Sequence, residues 1–268
     1  MTKTKRTIYF ISVSVVLGLI LMLTAFTSIK KLYIITFHRS GTIWHFNNKG
    51  QLNGEVDTYI NGEIKSREFF KDGKRDGPNI MYYPSGRIEL KSFRKNDKVE
   101  GMEYEYYEDG SLRLLRNWVN DRPYGDFFYY YPNKKLEIYH TYDILGDKFY
   151  LCRYDQSGKV LRRDGYVFSS RTYTKYNDSA VAIMTGKAYK SIKDLYITVA
   201  NPPQITPEIK VMINNKLCQD LIFPDRNTVL IRNAFSEKGL YTISVEGVFA
   251  GKSDSADYTT GTLRIIKE

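Results

Sequence analysis

The chain has 268 residues, of which 42% are hydrophobic, enough for one or two domains with a sizeable core. Half of its net charge of +10 sits in residues 1–31, where Lys3, Lys5, Arg6, Lys30 and Lys31 meet no acid; beyond them acids and bases are interspersed. A nucleic-acid stripe would be more lopsided, so no nucleic-acid partner is expected.

The first predicted element is a membrane helix. Ile8 to Ile29 is a run of 22 residues without a charge. At 1.5 Å per residue it spans about 33 Å, the thickness of a bilayer's hydrocarbon core. Lys3, Lys5 and Arg6 precede it, and positive flanks stay on the cytoplasmic side. The expected topology is therefore a cytoplasmic tip and transmembrane anchor over residues 1–31, with the body periplasmic or extracellular; Lys30 and Lys31 on the far flank oppose it. A cleaved signal peptide is the competing reading. Its apolar region normally spans about 7–15 residues and ends in small residues, and Thr24-Ala25-Phe26-Thr27-Ser28 matches that pattern poorly.

The second element is a repeat. Gly62, Gly86, Gly110 and Gly158 recur on a 24-residue period, with Lys134 in the missing place. Each follows a turn-former (Asn61, Ser85, Asp109, Asn133, Ser157), and an aliphatic stands two residues on: Ile64, Ile88, Leu112, Leu136 and Val160. A second set of turns falls at Asp72-Gly73, Asn96-Asp97 and Asn120-Asp121. Asp-Gly favours a tight hairpin because both central residues of a type I′ turn need positive φ, and Asn-Asp tolerates the same region. Turns alternating at 11 and 13 residues predict short strands in an antiparallel meander over residues 41–165. Aromatic columns run through it: Tyr82, Tyr106, Tyr130 and Tyr154, then Ile80, Tyr104 and Phe128. Each unit buries its face only against its neighbours.

Three in-register stretches, GPNIMYYPSGRIELKSF, GMEYEYYEDGSLRLLRNWVND and GDFFYYYPNKKLEIYHTY, resemble the MORN-variant repeat, over about residues 50–163. Bacterial proteins with strings of this repeat are commonly labelled YwqK-family antitoxins. The resemblance implies binding and neutralising a toxin protein without catalysis, and related repeats are taken to contact phospholipid or to act as protein scaffolds. The chain departs from the pattern in its last unit, where Phe149 stands in the column of Gly77, Gly101 and Gly125, and Leu145 in that of the turn residue. It also carries the N-terminal apolar run and an unrelated C-terminal segment, neither of which a cytosolic antitoxin needs.

From Gly165 the repeat stops and strand-like runs continue: YVFSSRTYTKY, AVAIMTG, DLYITVA, EIKVMI, TVLIRNA, LYTISVEGVFA and GTLRII. Turn material separates them, including Asn201-Pro202-Pro203, Asn214-Asn215 and Pro224-Asp225. About seven short strands predict a β-sandwich over residues 166–268. Gly239-Leu240-Tyr241-Thr242-Ile243 resembles the strand that bears the tyrosine corner of immunoglobulin-like domains, with Ile243 in the cysteine's place. Tyr241 as an ordinary core aromatic is the alternative.

The fold class expected is all-β: an antiparallel meander of 24-residue repeats and a C-terminal sandwich, preceded by one transmembrane helix. No catalytic constellation, metal site or cofactor motif is found. His38, His45 and His140 are scattered, and no HExxH, CxxC, GxSxG or phosphate-binding glycine loop occurs. Glu103 and Glu105 share a strand face, where a solvated polar face is the plain alternative to acid–base work on a glycan. Cys152 and Cys218 are far apart in sequence, and their redox state stays open. The candidate partner-binding residues are Tyr83, Tyr107, Tyr131 and Trp118. Tyrosine offers a large rigid contact area with a polar tip, although such a ladder can equally serve cross-strand stabilisation. The expectation is a non-enzymatic, membrane-anchored binding or scaffold protein of the bacterial cell envelope with a protein partner; a glycan or phospholipid surface is a further ligand class, and an antitoxin or immunity protein the alternative.

Overall fold

The computed structural model describes residues 39–169, 173–176, 179–182, 188–189, 192–203, 206–250 and 258–268, with isolated positions between 18 and 37. Most of the apolar run Ile8–Ile29 therefore lies outside the described residues, and so does the expected anchor. Among the described residues no helix is long and apolar enough to cross a membrane. The described chain is all-β and its sheets are antiparallel, apart from one short parallel pair. Residues up to Lys98 form one unit and Val99–Glu268 a second.

In the first unit the strands are β1 (Gly41–Ile43), β2 (Gly54–Ile60), β3 (Glu63–Lys71), β4 (Lys74–Tyr82) and β5 (Ile88–Lys95), followed by the two-residue β6 (Lys98–Val99). Each of β1 to β5 pairs antiparallel with its neighbour in sequence. The hairpin turns have the predicted chemistry: φ is positive at both Asp72 and Gly73 (49° and 83°) and at both Asn96 and Asp97 (51° and 70°). Asn61 and Gly62 (53° and 83°) form the same two-residue turn between Ile60 and Glu63. Gly62 thus differs from Gly86, Gly110 and Gly158, although it shares their spacing. Those three close five-residue turns, in which the glycine N–H donates to the carbonyl of Tyr83, Tyr107 or Asp155. A small core of Ile34, Ile43 and Tyr59 closes this unit, with Ile64 against it. Beside it Asp57 is buried and takes a fork from Arg67, Nε at 2.8 Å and Nη2 at 2.9 Å.

The second unit has a meander of its own, with β7 (Gly101–Tyr106), β8 (Leu112–Val119), β9 (Arg122–Pro123), β10 (Gly125–Tyr130), β11 (Leu136–Tyr142), β12 (Lys148–Tyr154) and β13 (Val160–Gly165). The departures noted in the last repeat do not break the sheet. Asp143 rebuilds the turn: its Oδ1 accepts from the N–H groups of Leu145 and Asp147, and Gly146 takes φ 84°. Asp155 does the same for Ser157 and Lys159 one strand pair later. Lys134 occupies the left-handed region (φ 66°) at the glycine position it was expected to fill.

Ten further strands form two five-stranded sheets. One is ordered β15 (Ser179–Ala182), β14 (Tyr173–Tyr176), β17 (Leu195–Thr198), β21 (Thr228–Ile231), β20 (Ile222–Asp225). The other is β16 (Ala188–Tyr189), β23 (Tyr258–Lys267), β22 (Gly239–Ala250), β18 (Thr206–Ile213), β19 (Lys216–Leu217). Leu195, Ile197, Val229 and Ile231 of the first share one core with Val211, Ile243, Val245, Phe249 and Ile265 of the second. All seven predicted runs hold strands; β16, β19 and β20, only two to four residues long, escaped prediction. Pro224-Asp225, read as turn material, ends β20. That strand is an edge, the place in a sheet where a missing N–H costs no ladder bond. Tyr241 is buried, and its hydroxyl donates to the Glu237 carbonyl at 2.8 Å and accepts from the Glu237 N–H at 2.9 Å. That is the bonding of a tyrosine corner.

Candidate functional site

Register assigns the side chains of the second unit's repeat sheet to its two faces, because residues directly opposite on antiparallel strands point the same way. One row runs Tyr104, Leu115, Phe128, Tyr139, Cys152, Arg163 from β7 to β13. The row on the opposite face runs Glu105, Leu114, Tyr129, Ile138, Arg153, Arg162.

The first face is covered by the chain's own C-terminal sheets. Tyr139, Cys152 and, from the neighbouring row, Tyr150 belong to the sandwich core; Tyr150 lies 4.9 Å from Phe249, ring to ring. A polar cluster centred on Asp126 of β10 secures the joint. The buried carboxylate accepts from the Tyr139 hydroxyl, from Arg226 Nε at 2.7 Å and from Asn227 Nδ2 at 2.6 Å. The Tyr139 hydroxyl in turn accepts from the Asn201 N–H at 2.7 Å. Tyr124 and Thr228 hydroxyls meet at 2.9 Å, and the Arg226 guanidinium lies over the Phe128 ring. Burial pushes the Asp126 carboxyl above its ordinary 3.8, partly offset by Tyr139, Asn227 and Arg226. Sequence reading missed this cluster. The signal was there: the 24-residue column holding Asp126 otherwise contains Pro78, Met102 and Tyr150, and a lone carboxylate among them needs a partner.

The second face carries a run of rings in contact. Trp118 meets Phe127 at 5.8 Å, Phe127 meets Tyr142 at 4.6 Å, and His140 lies 6.3 Å from Tyr142 and 5.4 Å from Tyr129. The Arg116 guanidinium stands 5.4 Å over the Trp118 ring and is paired with Glu103. Trp118 Nε1 and both His140 nitrogens are buried without a hydrogen-bond partner. Burial, with Lys148 and Arg153 nearby, depresses the His140 pKa to about 4, so the ring is neutral at pH 7.

Of the predicted contact residues, Trp118, Tyr107 and Tyr131 belong to the second unit and Tyr83 to the first. Trp118, opposite Gly101, sits at one end of β8 on the second face. Tyr107 and Tyr131 start the turns at the other end of the strands and are half-buried. Their hydroxyls reach the following repeat: Tyr107 donates to the Tyr130 carbonyl at 2.7 Å and Tyr131 to the Tyr154 carbonyl at 3.0 Å. These tyrosines therefore staple repeat to repeat, the cross-strand role weighed against binding. Tyr83, in the first unit, is half-buried and opens the equivalent Tyr83–Arg87 turn.

The carboxylates weighed for catalysis are engaged by arginines: Glu103 by Arg116, and Glu105 by Arg113 at 2.8 Å. A cavity of about 360 Å³ is lined by Asp143, Asp147, Lys148, Asp164, Tyr166 and Ser169, among others. Asp143 there is occupied by its turn and by the Ser169 hydroxyl at 3.0 Å. Among the described residues no three His, Cys, Asp or Glu side chains group as a metal site.

The alternating turns, the 24-residue register and the tyrosine staples are the marks of one repeat. Residues 99–120 and 123–143 match the MORN repeat variant. These MORN-variant units, β7 to β11, are the strands that bear both the Asp126 joint and the ring-lined second face. The chain has no match among curated proteins. Among solved structures it is similar to the extracellular domain of a protein described as a hybrid two component system from B. thetaiotaomicron, at 13% identity and a TM-score of 0.25, over 83% of this chain. The chain spans 37% of the length of that structure, and a likeness of this degree carries no argument about fold or function.

Proposed function

We propose that this protein is a non-catalytic binding or scaffold protein of the bacterial cell envelope. It is held at the membrane through Ile8–Ile29 and takes a protein partner on the second face of its MORN-variant sheet. The observation that carries this reading is the asymmetry of that sheet. Its first face is consumed by the chain's own sandwich, while the other presents Trp118, Tyr129, His140 and Tyr142 as a row of rings. Large, rigid aromatic side chains are favoured at protein interfaces. In this reading Trp118 is the contact at one end of that row, and the half-exposed rings of Tyr107 and Tyr131 are secondary contacts along the turns. The tyrosine corner at Tyr241 supports an immunoglobulin-like assignment for the sandwich, which acts as a cap on the repeat sheet.

The test is site-specific crosslinking in cells. A photo-reactive residue at Tyr129 or Ile138 should capture one protein, and one at Asn96, in a solvent-facing turn, should capture none. Equal capture from both positions, or none from the second face, defeats the reading. Protease treatment of spheroplasts decides the topology. Digestion from outside is expected; a body protected until the membrane is broken would make the antitoxin reading the leading one.

A further inference from the structure

The second face ends in an arrangement that repeat geometry alone does not call for. In the row Tyr129, Ile138, Arg153, Arg162, the last two members are direct cross-strand partners. Like charges placed opposite each other destabilise a sheet, because their side chains run parallel within a few ångström. Arg162 is held by Asp164 at 2.8 Å, an exposed pair in which both side chains are more than half accessible. Arg153 makes no ion pair among the described residues. Arg153 also lies close enough to His140, along with Lys148, to disfavour a charge on the ring. Asp164, from the neighbouring row, is held by Arg162, and Asp155, which opens the turn after β12, is engaged by the Ser157 and Lys159 N–H groups. The result is an apolar row of rings leading into a pair of guanidiniums, of which one, Arg153, has no ion-pair partner among the described residues.

We propose that this end of the second face is an acidic-peptide site. A carboxylate of the partner sits between Arg153 and Arg162, and the flanking apolar side chains lie along Ile138, Tyr129 and the Phe127–Tyr142 rings. Guanidinium suits this task because its planar fork pairs both carboxylate oxygens, and an incoming anion removes the repulsion between the two strands. The inference rests on the proposed protein-binding role and specifies its partner as a segment bearing Asp or Glu next to apolar residues.

The purified protein would be titrated with poly-L-glutamate and, separately, with polygalacturonate, a glycan carrying the same charged group. Trp118 sits on this face, so tryptophan fluorescence serves as readout beside calorimetry. Binding of poly-L-glutamate that weakens with salt, and weakens about ten-fold in the Arg153→Gln/Arg162→Gln variant, is expected. A Lys71→Gln/Lys95→Gln control removes two exposed charges at hairpin turns and should bind as the parent does. Equal losses in both variants reduce the effect to net charge and overturn the proposal. Tighter binding of polygalacturonate, or no binding of either polymer, overturns it as well. The arginine substitutions relieve repulsion, so the fold should survive them, and thermal melts check this. The two readings fail separately. If the crosslinked partner of the preceding test is still captured by the double arginine variant, the acidic-peptide site falls and the binding role stands. If no partner is captured, yet poly-L-glutamate binding depends on Arg153, the site stands and the protein-partner role falls.

Discussion

Tyr139→Phe isolates the joint between repeat sheet and sandwich. The change keeps the ring, fully buried between Phe128 at 5.5 Å and Tyr150 at 6.0 Å, and removes only the hydroxyl. Two bonds go with it: the donation to Asp126 and the acceptance from the Asn201 N–H. A bond to a charged acceptor contributes about 1.5–3 kcal/mol, and stranding the Asn201 N–H adds about 1. The expected loss is about 3 kcal/mol. For a unit of this size that lowers the melting temperature by about 6–12 °C. Urea unfolding followed by circular dichroism measures the loss directly. Asp126→Asn, alone and combined with Tyr139→Phe, closes a double-mutant cycle, and the two effects should be strongly non-additive because they act on one carboxylate. A loss below about 0.5 kcal/mol for Tyr139→Phe, or simple additivity, would refute the view that Asp126 organises this joint.

The two buried aspartates should respond to acid in opposite directions. Burial pushes Asp57 up, but Arg67 with Lys31 and Tyr59 outweighs it and holds the carboxyl below 3.8. Its contribution is present above the unfolded value and lost as pH falls through the folded one, so Asp57→Asn should flatten the acid limb of the first unit's stability curve. Asp126 is raised above 3.8, so its contribution is fully present below the unfolded value and lost as pH rises through the folded one; acidification there should not loosen the joint. His140, depressed to about 4, should destabilise the second unit as pH falls from about 6.5 towards 4, and His140→Phe should remove that slope in melts across the range. Gly77→Ala should cost about 2–4 kcal/mol, since φ is 147° and the new Cβ would stand 2.7 Å from Phe69 Cβ. Gly101→Ala, at φ 76° with open space around it, should cost only about 1 kcal/mol of backbone strain. Tyr241→Phe should lose about 1–2 kcal/mol through the two Glu237 bonds, read by the same urea assay.

Much of this protein is local and was therefore legible in the sequence. Turn chemistry lies in one or two residues, so the dipeptides Asp72-Gly73, Asn96-Asp97 and Asn120-Asp121 suffice to assign tight hairpins, and positive φ at all six residues agrees. Period-two alternation assigned strands, and the 24-residue register assigned the meander. The spacing of Gly62 misled only because two turn types, of two and five residues, both use a glycine at positive φ. Alternation says that neighbours point to opposite faces, but not which face is covered. That depends on where the sandwich docks, through contacts between residues about 100 positions apart such as Asp126 with Arg226 and Asn227. The same docking decides that Tyr139 and Cys152 are core while Tyr129 and Arg153 remain on the second face. Trp118 is separated from Tyr107 and Tyr131 by the strands themselves: it sits at one end of β8 and they at the turns of the other end, and strand position, not residue type, determines which side chains can share a ligand.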